Sequence, residues 1–151
     1  MLRFHEVKKE FMKFPTVPTV LPTRADKGSA GYDFHSKEFY VLRPNEIHMF
    51  WTDVCAEMPE DVVLHIYTRS GNGCKHGIIL RNNVGVVDSS YFNNEQNGGI
   101  IGIGLVNTGN EDFVVNVGDR IAQGVFIHYL ACDEEEITES KRNGGFGSSG
   151  K

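Results

Sequence analysis

The sequence predicts an all-β fold, arranged as a sandwich, a barrel or a jelly roll. Short segments rich in β-branched and aromatic residues recur along the chain, and segments typical of turns separate them. Only the acidic stretch at 133–142 suggests a helix. Many short strands at even spacing are typical of closed or two-layered β architectures.

The predicted strands follow one another from the first third of the chain to residue 130. The first is FYVL, the longest is EIHMFWTDVCAEM, and the turn signals between strands include RPNE, MPED, NTGNED and VGDR. LRNNVGVVDSSY adds a strand, a turn and a second strand within 80–91. The other predicted strands cover residues 39–42, 46–58, 61–68, 98–107, 112–119 and 120–130.

Length, charge and cysteine content limit the classes of function. A chain of 151 residues can bury a core as one domain. The formal net charge of -5 argues against binding nucleic acid or an anionic membrane surface, since both need a basic excess. Three cysteines without C-x-x-C spacing favour neither a disulfide framework nor a zinc site. The N-terminal residues are interrupted by charges, so we expect no membrane span and a cytoplasmic location.

Two segments carry groups suited to chemistry on an anion. In YTRSGNGCKHGI, a forked guanidinium, a hydroxyl and backbone N–H groups from Arg69, Ser70 and Gly71 could converge on phosphate. The alternative is a charged turn after a strand. In LRNNVGVVDSSY, Asp88 follows an apolar run and could orient and deprotonate a water, or it could fix a turn through its own backbone. The six histidines are scattered, without the spacing of metal ligands.

Five motifs occur in a specific order: GSAGYDF, RSGNGCKHGI, NNVGVVDSSY, VGDRIAQ and RNGGFGSSG. This order resembles the five-motif signature of the trimeric dUTPases, possibly the phage type, over residues 25–150. The resemblance implies a distorted jelly-roll or β-barrel domain over 1–139 and a flexible, glycine-rich C-terminal arm over 140–151. It also implies hydrolysis of dUTP to dUMP and pyrophosphate, which keeps uracil out of DNA and supplies dUMP for thymidylate synthesis.

The resemblance gives individual residues expected roles. Asp33 would support the site by pairing with Arg120, and Asp88 would be the catalytic carboxylate. Backbone groups of a β-hairpin would read the uracil edge, and Tyr91 would stack on the sugar and leave no room for a ribose 2′-hydroxyl. The remaining substrate-binding residues would be Arg69, Ser70, Gly71, Asn82, Val86, Val87, Gln123, Arg142, Phe146, Gly147 and Ser148.

The implied mechanism is in-line attack on the α-phosphorus by a water that Asp88 activates. Mg²⁺ would be the cofactor, held through the substrate phosphates and water rather than by a protein ligand. The C-terminal arm would reach a neighbouring subunit, so that each active site of a homotrimer uses three chains. The location would be the host cytoplasm if a phage encodes the chain.

Some features depart from the family pattern and leave two alternatives. FNNEQNGG separates Tyr91 from Ile100 where the family has a short link, so we expect an insertion or bulge. Gly124 stands where a larger apolar residue is usual, which would loosen the packing. A dCTP deaminase shares the fold but needs an acidic residue where Phe92 stands. A nucleotide-gated regulatory protein could instead contact a protein partner through the loop at 92–99.

Overall fold

The computed structural model describes residues 1–133, in which β-strands dominate. The jelly-roll-like, all-β class is confirmed, although no sheet of residues 1–133 closes into a barrel. The strands are β1 (Arg3–Glu6), β2 (Thr23–Arg24), β3 (Tyr32–His35), β4 (Tyr40–Leu42), β5 (Ile47–Trp51), β6 (Val54–Glu57), β7 (Val62–Thr68), β8 (Ile78–Leu80), β9 (Gly85–Val87), β10 (Gly102–Asn107), β11 (Phe113–Val115) and β12 (Arg120–His128). The helices are α1 (Ser70–His76) and the 3-10 helices Lys9–Phe11 and Ser89–Tyr91.

The largest sheet has five strands in the order β2-β3-β12-β7-β9. Strand β12 lies at its centre and pairs antiparallel with both β3 and β7, so that Gln123 stands between Asp33 and Tyr67. A second sheet has the order β5-β10-β8, and the pairs β1-β6 and β11-β4 complete the fold. Non-consecutive strands are therefore neighbours, as expected in a jelly roll.

The predicted strand at 46–58 is two strands, β5 and β6, separated at Thr52 and Asp53. Asp53 has a φ of 56°, a left-handed conformation that interrupts a strand. Its carboxylate accepts hydrogen bonds from the backbone N–H groups of Lys13 and Phe14 at 2.7 and 3.0 Å. It also pairs with Nζ of Lys37 at 3.0 Å. A tertiary contact to the N-terminal segment therefore explains the break.

The helix α1 was not predicted from the sequence, which indicated only a glycine-containing turn at this place. Two of its seven residues are glycine, which lowers the intrinsic preference for a helix. It ends at Gly77, whose φ of 67° and N–H bonds to Asn72 and Gly73 carbonyls form a left-handed cap. Only Asp133 of the predicted helix at 133–142 lies within the described residues.

The main core consists of side chains from all four sheets. Phe34, Phe50, Leu64, Leu105 and Ile121 are each at most 1% exposed. Burial of such side chains stabilises the fold by roughly 1.5–3 kcal/mol each. No helix within residues 1–133 is long and apolar enough to cross a membrane.

A smaller core lies between the N-terminal segment and the loop after Tyr91. It is built on buried Val7, Cys55 and Ile100, against which half-buried aromatic and apolar side chains pack. Phe11 and Phe92 are among these. The loop after Tyr91 is therefore part of the packed structure.

Candidate active site

The carboxylate of Asp33, on strand β3 of the five-stranded sheet, holds two arginines. Asp33 Oδ1 accepts a hydrogen bond from Nε of Arg69 at 2.9 Å, and Oδ2 accepts one from Nη1 of Arg120 at 3.3 Å. The expected pairing of Asp33 with Arg120 is present. The pairing with Arg69 was not predicted. Within the part of the chain that the structure describes, Asp33 occupies Nε of Arg69 and Nη1 of Arg120, and the other guanidinium N–H groups are donors suited to phosphate.

These side chains surround a cavity of about 400 Å³. The strand pairing explains the convergence, because Asp33 and Tyr67 lie on either side of Gln123. Gln123 donates from Nε2 to the carbonyl of Thr68 at 3.2 Å. The loop before β3 forms the opposite wall. The cavity is lined by Ala25, Ser29, Ala30, Gly31, Asp33, Tyr67, Arg69, Ser70, Arg120, Gln123 and Val125.

Ser70 and Gly71 begin α1 directly after Arg69, and both are exposed. The first N–H groups of a helix have no acceptor within the helix, so they remain available to a ligand. Position 71 is also open, since a Cβ built there would meet nothing within 4 Å. The loop on the other wall is tighter, because a Cβ at Gly31 would collide with Oε1 of Gln123.

His35 lies beside this arginine cluster and was not predicted to belong to the site. Burial lowers the pKa of its imidazole, the Asp33 carboxylate opposes that shift, and Arg120 and Arg69 add to it. Within residues 1–133, its Nδ1 atom is buried and makes no hydrogen bond. Burial and the two arginines therefore favour the neutral form of this imidazole.

A second cavity, of about 620 Å³, contains the third motif. Asn82 lies in the turn after β8, Val86 and Val87 are on β9, and Tyr91 ends the following 3-10 helix. All four line this cavity, together with Met49, Ile66, Leu80, Arg81, Val84, Gly85, Ile100, Ile101, Gly102 and Gly104. The expected recognition residues are therefore brought together.

The β-hairpin expected in the third motif is not formed as a paired hairpin. Strand β8 pairs with β10 in the three-stranded sheet, whereas β9 pairs with β7 in the five-stranded sheet. A turn closed by hydrogen bonds from Asn83 N to Leu80 O and from Val84 N to Asn82 O connects them. The segment thus crosses between two sheets.

Asp88 follows β9 and is half-buried at the start of the 3-10 helix, whose Tyr91 N–H binds the Asp88 carbonyl at 3.1 Å. It lines neither cavity, and the two cavities share no lining residue. The expected phosphate-binding and base-binding residues are thus separated into two groups. Arg142, Phe146, Gly147 and Ser148 lie outside the described residues.

Within residues 1–133, no three His, Cys, Asp or Glu side chains form a group that could hold a metal ion.

Comparison with known proteins shows similarity along most of the chain. A family model described as dUTPase matches residues 18–150. The deoxyuridine 5′-triphosphate nucleotidohydrolase of Lactococcus lactis subsp. lactis (strain IL1403) is 39% identical over 139 residues, covering 91% of this chain and 93% of that protein. The corresponding protein of Helicobacter pylori (strain J99 / ATCC 700824) is 34% identical, covering 87% and 89%.

Solved structures of dUTPases are also similar to this chain. The dUTPase from Streptococcus mutans has a TM-score of 0.75 at 33% identity and covers 87% of this chain and 98% of that chain. The dUTPase of Staphylococcus bacteriophage 80alpha with dUPNHPP has a TM-score of 0.72 at 26% identity, covering 100% and 99%. A mutant dUTPase from phage phi11 of S. aureus, described with a coordinated structural Mg(II) ion, shares the fold with a TM-score of 0.71 at 23% identity. It covers 92% of this chain and 97% of that chain.

Proposed function

Since this chain belongs to the dUTPase family and hydrolyses dUTP to dUMP and pyrophosphate, we propose that its two cavities are the two halves of one composite active site. The single observation that carries this proposal is that the expected site residues line two different cavities. One cavity has two oriented arginines, and the other has the turn and the aromatic ring suited to a base and a sugar.

The 400 Å³ cavity binds the triphosphate in this proposal. Arg69 and Arg120 are both oriented by Asp33, which supports bidentate contacts to phosphate oxygens. Ser70 and Gln123 line the cavity and add a hydroxyl and an amide. Gly71 follows Ser70 in α1 outside the cavity lining, and in this proposal its backbone N–H reaches the phosphate chain from there. These groups supply the local positive potential that a chain of net charge -5 lacks globally.

The 620 Å³ cavity binds deoxyuridine. Backbone groups along Asn82, Val86 and Val87 form hydrogen bonds to the uracil edge. A site built from fixed donors and acceptors leaves the amino group of cytosine mispaired, and such a mismatch can be rejected by roughly 10⁴-fold or more. The methyl group of thymine meets backbone, and the ring of Tyr91 occupies the space that a ribose 2′-hydroxyl would need.

Asp88 is the general base. It accepts a proton from a water whose oxygen forms a bond to the α-phosphorus, while the bond from that phosphorus to the bridging oxygen breaks and pyrophosphate leaves. The half-buried position of Asp88 directly after the base-binding strand supports this role. General-base help of this kind contributes typically 10²–10⁴-fold in rate.

Mg²⁺ would bind at this site together with the triphosphate of the substrate. The cation would be held through triphosphate oxygens and water, because Mg²⁺ prefers oxygen ligands and keeps several of its waters. When bound, the cation neutralises phosphate charge. The chain's own contribution is to orient the phosphate chain through Arg69 and the start of α1.

The site residues would be shared within a homotrimer. One substrate must contact both groups of residues, and in one chain these groups line two different cavities. Val86 is 57% exposed next to the base-binding cavity and offers an apolar contact to a second copy. The arm at 140–151, with Arg142, Phe146, Gly147 and Ser148, would close over the substrate in a neighbouring subunit.

We also place the enzyme in the cytoplasm. Its free thiols at Cys55, Cys74 and Cys132 support a reducing compartment.

The test is pyrophosphate release from dUTP, dCTP, dTTP and UTP with Mg²⁺, measured for the intact chain, for Asp88→Asn and for a chain truncated before Arg142. Ammonia release from dCTP is followed in parallel. Cleavage of dUTP alone, lost in both variants, is the expected result. Ammonia release would instead favour the dCTP deaminase.

A regulatory role through the 92–99 loop is the second candidate. The loop exposes Asn93, Glu95 and Gln96, which leaves a small polar surface for a protein partner. Binding of dUTP without cleavage by the intact chain would favour this role over catalysis.

A further inference from the structure

The inserted loop after Tyr91 is closed by the side chain of Asn94. Its Nδ2 donates to the carbonyl oxygen of Tyr91 and to Oδ1 of Asn97, both at 2.8 Å. Its Oδ1 accepts the backbone N–H groups of Gln96 and Asn97, each at 3.1 Å. Asn94 is only 7% exposed. The loop therefore has a defined conformation fixed by buried hydrogen bonds.

Asn97 reaches the other end of the tyrosine. Its Nδ2 donates to the phenolic oxygen of Tyr91 at 3.0 Å, and the same hydroxyl donates to the carbonyl of Ile100 at 2.8 Å. Oδ1 of Asn97 also accepts the backbone N–H of Gly99 at 2.9 Å. One hydroxyl can donate once and accept once in this way, so its position is specified from two sides.

The loop after Tyr91 also packs against the N-terminal segment. Gly98 has a φ of 67°, and a Cβ built there would lie 2.5 Å from the ring of Phe11. Gly99 has a φ of 78°, and a Cβ there would lie 2.6 Å from the Tyr91 carbonyl oxygen. Only glycine permits both the backbone conformation and the close approach. Moving the loop would therefore open the small core that contains Phe11.

Tyr91 is 7% exposed and lines the 620 Å³ cavity with Asn82 and Val86. A small rotation of this ring would change the space next to a bound sugar. We propose that Asn97 is a positioning residue that fixes the ring of Tyr91 and thereby sets the preference for deoxyribose over ribose nucleotides. This inference rests on the proposed function, in which Tyr91 borders the sugar, and adds a specificity-determining residue from the inserted loop.

The decisive variant is Asn97→Asp. Aspartate has nearly the same shape and keeps the acceptors for Gly99 N and Asn94 Nδ2, but it has no donor for the phenolic oxygen. Its carboxylate competes with the Ile100 carbonyl for the phenolic proton. We expect the ratio of kcat/KM for dUTP to that for UTP to fall about three- to tenfold, because the phenolic hydroxyl can no longer be held by a donor on one side and the Ile100 carbonyl on the other. The kcat for dUTP should change little, because Asn97 lies outside the phosphate-binding cavity.

The matched control is Gln96→Ala, which removes an exposed amide from the same loop and should leave the ratio unchanged. Combining Asn97→Asp with Tyr91→Phe completes a double-mutant cycle. The effect of Asn97→Asp should largely disappear when the phenolic hydroxyl is already absent. Thermal unfolding midpoints identify any variant whose fold is lost.

An unchanged dUTP to UTP ratio in folded Asn97→Asp would overturn the inference. So would an effect that persists undiminished in the Tyr91→Phe background, since it would not act through the hydroxyl. If the intact chain itself shows no preference for dUTP over UTP, the proposed function fails together with the inference. The intact chain therefore tests the proposed function, and Asn97→Asp tests the role of Asn97.

Discussion

The side chain of Asp33 lies 2.9 Å from Nε of Arg69 and thereby links strand β3 to the beginning of α1. The same carboxylate contacts Arg120 at 3.3 Å. Its side chain is 13% exposed, whereas Arg120 is half exposed. One buried acid thus orients two more accessible cations, and this arrangement supports the proposed role of Asp33 as a positioning residue for the phosphate.

We predict that Asp33→Asn lowers kcat/KM for dUTP about ten- to hundredfold, because misplaced arginines no longer match the phosphate oxygens. Steady-state kinetics of pyrophosphate release would measure this. Glu111→Gln, which removes one exposed carboxylate elsewhere, serves as the control for the change in net charge. Equal kinetics in the two variants would contradict the positioning role.

Gly124 is the basis of a second prediction, about packing. The sequence suggested loose packing here, but a Cβ at this position would lie 2.9 Å from both Leu64 and Phe34, two fully buried side chains. Gly124→Ala should therefore destabilise the fold by roughly 1–3 kcal/mol, the usual cost of overpacking a core. Denaturant midpoints are compared with Gly28→Ala, whose Cβ would meet only an atom at 3.4 Å. Equal midpoints would show that the neighbours move aside without cost.

The buried ion pair between Lys37 and Asp53 gives a third prediction. Their side chains are 4% and 0% exposed, and Nζ of Lys37 also contacts Oγ1 of Thr19 at 2.7 Å. Asp53→Asn leaves a buried ammonium without its counter-charge, so the free energy of unfolding should fall by about 3–5 kcal/mol. Asparagine also tolerates the left-handed backbone at this position, so the loss is not due to strain.

The partner variant separates the two roles of Asp53. Lys37→Met should cost less, because the Asp53 carboxylate keeps the N–H donors of Lys13 and Phe14. Urea unfolding of both single variants and of the double variant would test this. A double variant less stable than Asp53→Asn alone would contradict the explanation.

Cys55 gives a prediction about pH and thiol reactivity. Burial raises the pKa of its thiol to about 11, whereas Cys74 and Cys132 are exposed. Titration of the native protein with a thiol reagent should show two fast thiols and one slow thiol that reacts after denaturation. Three equally fast thiols would contradict the burial.

The same shift has a defined effect on stability. The folded thiol keeps its proton to higher pH than the unfolded thiol. The contribution of Cys55 to the free energy of unfolding is therefore intact below about pH 9 and is lost as the pH rises towards 11. The free energy of unfolding, measured across this pH range, should fall in the intact protein, and this fall should be absent in Cys55→Ala. A slope identical in both proteins would assign the effect to other groups.

The sequence by itself determined the residue types of the site and the class of fold. The motif order predicted roles for Asp33, Arg69, Asp88, Tyr91 and Gln123, and the strands at 61–68 and 120–130 were predicted within two residues at each end. Such features depend on local pattern and side-chain chemistry, which a sequence contains directly.

Only the tertiary structure decided how these residues are grouped. The helix α1, the pairing of Arg69 with Asp33 and the separate partners of β8 and β9 all depend on contacts between distant segments. The sequence alone did not indicate a role for Asn97, whose side chain donates a hydrogen bond to the phenolic oxygen of Tyr91 in the folded loop. The physical reason is that local propensity is weak at glycine-rich and asparagine-rich segments, so long-range hydrogen bonds and packing select one conformation among several of similar energy.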